Sequence, residues 1–205
     1  MLKSPNAARS SRNPHDDTAI TAAPPRRWGI DALTVINRIT QDPVDLGLLT
    51  AALAIELDER PLDRDTALRL EPVPEPRFDG MQWILTVNAA HTLTRRRFSI
   101  AHAIGHLALH PTLIGKGLAD TSEYRCPQDG PYWNPGLTAQ RETEANQLAV
   151  GLLMPKQAVR RRHAEYPDLT SLAAHFQVST RAMQIRLDAL DLPIPPVRSL
   201  VAAAR

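Results

Sequence analysis

Cysteine is almost absent from this chain. Cys126 stands alone among 205 residues, so no disulfide can form within the chain, which suits a reducing compartment. Aromatic residues are scarce at 4%, while apolar residues as a whole make up 43%, enough for a core. No stretch approaches the roughly 18 consecutive apolar residues of a membrane span. Lys3, Arg9 and Arg12 are not followed by an apolar run that could serve as a signal-peptide core. The expectation is a soluble, cytoplasmic protein with no membrane partner. Charge of one sign is also lacking. Lys and Arg number 24 against 22 Asp and Glu, and a net of +2 does not by itself select nucleic acid.

Proline, by contrast, is plentiful. Eighteen prolines crowd the N-terminal tail and the loops. Residues 1–25 are rich in Ser, Pro, Asn and Arg and read as a disordered tail. From Trp28 to about Gln41, Ile30, Leu33, Ile36 and Ile39 fall at helical spacing. Asp42–Pro43 then resembles an N-cap followed by a first-turn proline. The same spacing through Leu46, Leu49, Leu53 and Leu57 predicts a second helix from Pro43 to about Leu57. Leu68 to Val73 alternates like a half-buried strand, and Trp83 to Val87 reads as another, with Asp79–Gly80 as the turn between them. Helices are predicted from Leu93 to about Leu109 and from Ala139 to about Met154, with Pro155 opening the next element. Residues 111–136, with four prolines and four glycines, read as a long loop, a feature that is usually functional or mobile. Leu169 to Leu190 reads as two short helices around Gln177–Val178–Ser179. The fold class is α+β: a mostly helical body beside a small antiparallel sheet of about three strands.

The chemistry is concentrated in Phe98-Ser-Ile-Ala-His102-Ala-Ile-Gly-His106. Residues four apart on a helix share a face, so His102 and His106 can aim two imidazoles at one point, as two metal ligands must. Alone, this spacing is better explained by packing or by a surface pair. Its context is a strand before the helix and, after it, a further helix bearing Arg141-Glu142-Thr-Glu144-Ala-Asn146 and ending in Leu152-Leu-Met-Pro155. A carboxylate from that helix would complete a three-ligand site with its fourth position open to water.

These motifs, in this order over roughly residues 30–192, resemble the ImmA/IrrE family of zinc metallopeptidases. The resemblance implies a zincin-like peptidase domain over residues 26–160. It also implies a C-terminal helical, helix-turn-helix-like subdomain over residues 161–205. His102, His106 and Glu142 would bind Zn2+, with Asn146 behind the ligands and Glu144 solvated. It further implies a regulatory endopeptidase whose substrate is a helix-turn-helix (XRE-like) repressor, cleaved to release stress or phage-defence genes. The departure is at Ala103, where the family has the glutamate that serves as general base. That glutamate takes a proton from the attacking water and returns it to the leaving amine; alanine can do neither. Everything else in the motif is retained, which favours a Glu→Ala inactivated form over a naturally eroded site. The rival reading is a non-catalytic sensor that sequesters a repressor or binds DNA.

Cys126 lies in the loop between the His pair and Glu142. It can be a buried small hydrophobe or, as a thiolate, an inhibitory fourth ligand. Arg95–Arg97 and Arg160–Arg162 are solvated faces or a phosphate-tracking surface for single-stranded DNA as activator. The C-terminal helix pair would place Thr180, Arg181 and Gln184 at the start of a recognition helix. In the family, however, this pair packs against the peptidase helices, and structural support is the favoured role.

Overall fold

The computed structural model describes residues 28–38, 41–73, 80–121 and 131–195, and the side chains from residue 32 onward. The expected tail at 1–25, Asp79 of the expected turn and Cys126 lie outside the described residues. Among those described, seven helices and one four-stranded sheet make an α+β fold, as expected. The helices are α1 (Trp28–Asn37), α2 (Leu46–Ala52), α3 (Leu93–Leu109), α4 (Ala139–Leu153), α5 (Lys156–His163), α6 (Leu169–His175) and α7 (Thr180–Ala189). The strands are β1 (Ile55–Arg60), β2 (Thr66–Pro72), β3 (Trp83–Asn88) and β4 (Leu118–Thr121). Among the described residues no helix is long and apolar enough to cross a membrane. The boundary expected at residue 160 falls inside α5.

Two expectations need correction. The second helix does not run from Pro43 to Leu57. Its N-cap is Asp45, whose carboxylate accepts the Leu48 N–H at 3.0 Å, while Asp42 is held by Arg161 at 2.9 Å and Arg162 at 3.1 Å. The helix stops at Ala52, and Ala54 turns the chain with φ +55°. Leu57 then pairs with Leu85 as part of β1. The hydrophobic spacing of four merely continued by chance into a strand. The sheet is also mixed rather than antiparallel, in the order β1-β3-β2-β4. β2 is antiparallel to β3 and β4, whereas β1 is parallel to β3. The supposed loop at 111–136 contains the fourth strand.

The sheet delivers the chain to α3 in a fixed register. Asn88 ends β3 and is buried. Its amide donates to the Leu62, Asp63 and Thr66 carbonyls at 3.4, 3.2 and 2.9 Å, and its oxygen accepts the Ala90 N–H at 3.1 Å. One side chain thereby ties the β1–β2 connection to the turn that opens α3. Beneath the helices lies an aliphatic core of Leu68, Leu70, Leu85, Val87, Ile104 and Leu107, all essentially inaccessible.

α3 packs against α4 at short range. A Cβ added at Gly105 would meet the Ala145 carbonyl oxygen at 2.8 Å and the Ala145 Cα at 3.0 Å. The neighbour is backbone and cannot swing aside. At the other end, Arg186 of α7 donates to the Met154 carbonyl at 3.0 Å, so the C-terminal helix pair is fastened to the end of α4. We expect Gly105→Ala to destabilise the fold. Overpacking of this kind costs about 1–3 kcal/mol, against about 1 kcal/mol that alanine gains over glycine within a helix. Urea unfolding should show a lower midpoint at unchanged slope; an equal or higher midpoint would show that the helices can separate freely.

Candidate metal centre

Four buried side chains from three elements converge on one point. α3 supplies His102 and His106, α4 supplies Glu142 from its first turn, and β4 supplies Asp120. Their exposures are 0%, 0%, 7% and 1% respectively. The Nε2 atoms of the two imidazoles are 3.1 Å apart. Glu142 Oε2 lies 3.3 Å from His106 Nε2 and 3.4 Å from His102 Nε2. Asp120 Oδ2 lies 2.9 Å from His102 Nε2. All four donor atoms fall within 4.8 Å of one another.

This donor set fits a metal ion. A tetrahedral ion with ligands at about 2.0–2.1 Å sets neighbouring donors about 3.3–3.4 Å apart, close to the observed His–His and His–Glu separations. Two imidazole nitrogens pointed at each other and at shared carboxylates are poorly served by hydrogen bonds alone. Neither Asp120 Oδ1 nor Glu142 Oε1 finds a hydrogen-bond partner among the described residues. The electrostatics point the same way. Burial works to lower the pKa of His102, but the Asp120 and Glu142 carboxylates overcome it and hold the imidazole at about 9. Burial works to raise Glu142, yet His102 and His106 hold it down at about 2. The pocket favours positive charge.

Behind His106 runs a string of contacts. His106 Nδ1 lies 3.3 Å from His110 Nδ1, and His110 Nε2 lies 3.0 Å from Glu144 Oε2. With His106 Nε2 given to an ion, one tautomer set satisfies every member: His106 Nδ1–H donates to His110, and His110 Nε2–H donates to Glu144. Such outer partners fix ring orientation and raise ligand basicity. Glu144, expected to be solvated, thus has a partner at each oxygen, since Gln140 also donates to it at 3.0 Å.

The remaining sequence candidates are dispersed. Ala103 is fully buried in α3, beside His102. Asn146 is half-buried and lines a groove of about 510 Å³ between α3, α4 and α7, together with Arg95, Phe98, Met154, Val178 and Ala182. Phe98 stacks on His102 with ring centroids 6.3 Å apart. Arg97 is buried and donates to the Val44 carbonyl at 2.9 Å. Arg96 pairs with Glu59 at 3.3 Å. Arg161 and Arg162 hold Asp42, while Arg160 is exposed. At the start of α7, Thr180 and Arg181 are exposed and Gln184 is half-buried. Asp120 escaped the sequence reading, because an aspartate in a Gly/Pro-rich stretch resembles a turn residue. The alternation of Leu118 and Asp120 around Ala119 was the only signal, and it is four residues long.

A helix-borne histidine pair at i, i+4, joined by a carboxylate from the next long helix and set beside a small sheet, defines a zincin-like metallopeptidase centre. Residues 61–188 match the model of the IrrE N-terminal-like domain, Peptidase_M78. That is more than half of the 205 residues, and the chain belongs to this metallopeptidase family. No curated protein matches the chain.

We expect the purified chain to bind about one metal ion, by elemental analysis without a metal-binding tag. His106→Ala and Glu142→Gln should each abolish stoichiometric binding, whereas Glu144→Gln should retain it with about 10- to 100-fold lower affinity. A native chain that stays metal-free after metal is supplied would overturn the site.

Proposed function

We propose that this chain has the architecture of a zinc-dependent regulatory endopeptidase. Its substrate is a helix-turn-helix repressor in the cytoplasm, whose cleavage induces stress or phage-defence genes. In this form, alanine at position 103 has removed the general base. The observation that carries the reading is the convergence of His102, His106 and Glu142 within 3.1–3.4 Å of one another in a member of this family. When bound, zinc supplies Lewis-acid polarisation of the scissile carbonyl and acidifies water.

The protein's own groups supply the rest. Glu142 and the two imidazoles fix the ion. His110 and Glu144 hold His106 in one orientation. The groove lined by Phe98 and Asn146 offers room for a substrate side chain, and Phe98 in turn stacks on His102. A glutamate at 103, adjacent to the ligand His102 on α3, would take the proton from water and deliver it to the leaving amine. Ala103 has no exposed surface, so a carboxylate there is costly to bury unless it faces a cation.

The alternative is a non-catalytic sensor that holds a repressor without cutting it. Ala103 itself favours this reading, because binding and release need no proton transfer.

Restoring the base separates the two. Ala103→Glu should raise cleavage of a co-expressed repressor by about 10²- to 10⁴-fold, the usual range for general acid–base catalysis, and His102→Ala on top should abolish it. The band on a gel is the readout. A repressor left intact by zinc-loaded Ala103→Glu under every inducing condition would leave the sensor as the function.

A further inference from the structure

Asp120 is the one member of the buried cluster that a three-donor site does not use. Alternation along β4 sets Leu118 and Asp120 on the same face of the strand. Leu118 is fully buried in the core, so Asp120 brings a carboxylate to a position that a hydrophobe would otherwise fill. The pairing partner, β2, carries a bulge between Thr66 and Leu68, beside the residue paired with Asp120. Bulges re-aim side chains and recur beside functional sites. Asp120 Oδ1 has no hydrogen-bond partner among the described residues, and Oδ2 faces the His102 imidazole at 2.9 Å. A carboxylate that is 1% exposed with one oxygen unpartnered is unfavourable in a protein interior unless a cation compensates it, and the imidazole nitrogen it faces is one that a metal ion would share.

We propose that Asp120 is a fourth metal ligand and closes the site, taking the position that a hydrolytic centre keeps open for water. The inference rests on the metal-site reading above and adds a state of that site. Its Oδ2 lies 2.9 Å from His102 Nε2, the same nitrogen that faces His106 and Glu142. A base moved from α3 to β4 would stand off by the width of a water, whereas Asp120 occupies a ligand's place. Three elements are thereby clamped by one ion, and water has no position on it while β4 stays docked. Together with Ala103, this makes the described state a sealed metal centre. A peptidase on this scaffold is held inactive by an aspartate on its edge strand, and withdrawal of β4 is what would open the ion to a substrate.

Cobalt(II) substitution in the full chain tests this without recourse to activity, because its visible bands report coordination number and azide binds only an open position. The native chain should show intense four-coordinate bands that excess azide leaves unchanged. Asp120→Ala should bind cobalt at least about tenfold more weakly, a loss no smaller than that of an outer partner, and should become azide-responsive. Asp120→Asn, which keeps the shape of the side chain, should show the same direction and serves if the alanine variant fails to fold. Native protein that binds cobalt and already responds to azide overturns the closed site and leaves the metallopeptidase reading intact. So does an Asp120→Asn form as tight and as silent to azide as the native chain. Native protein that binds no cobalt at all overturns both.

Discussion

Where α3 meets α4, the absence of a side chain at Gly105 lets two backbones approach within a distance that no Cβ would tolerate. The separations of Glu142 from both imidazoles are set by that approach. His102 and His106 lie one turn apart on α3, so their mutual geometry is internal to the helix. Glu142, on the facing helix, is brought into register with both by the contact at Ala145 in the same turn of α4. A wider crossing would leave the imidazoles paired with each other and the carboxylate out of reach. The site therefore depends on a packing constraint before it depends on any ligand.

Around that crossing, polar side chains fix what apolar packing leaves free. Asn88 locks the entry to α3 through carbonyls from the β1–β2 connection. His110 and Glu144 govern the back of His106. Asp42, with Arg161 and Arg162, ties the start of the fold to α5. Each involves a group that would be costly to leave unsatisfied, and each specifies one arrangement among several that an aliphatic core alone would accept.

Much of this was legible in the sequence, for identifiable reasons. α3, α4 and the two C-terminal helices carry long or well-capped periodic patterns, and the histidine pair sits on the strongest of them. Asp168 and Ser179 both cap as their residue type suggests, each accepting an N–H three residues on. What could not be read was non-local. Leu53 and Leu57 kept the helical spacing across the α2–β1 junction, and only pairing with β3 made Leu57 part of a strand. β4 is four residues within a stretch of prolines and glycines, and its strand character comes from β2 rather than from its own composition. Asp120 was invisible for the same reason. The role of Glu144 was hidden because a single carboxylate on a polar helix face gives no hint of a histidine across the gap.

The position of β4 has a consequence for how the molecule breathes. Among the described residues, β4 ends the four-stranded order and has β2 as its single neighbour, whereas β3 is held on both sides. Free energies of local opening are lowest where backbone pairing is fewest, so the amides of Leu118 to Thr121 will exchange with solvent ahead of those in β3. An ion gripping Asp120 adds a third dimension of attachment to a strand otherwise held along one edge. Metal occupancy would then be recorded as slowed amide exchange in four consecutive residues, far more than in the strand at the centre of the sheet.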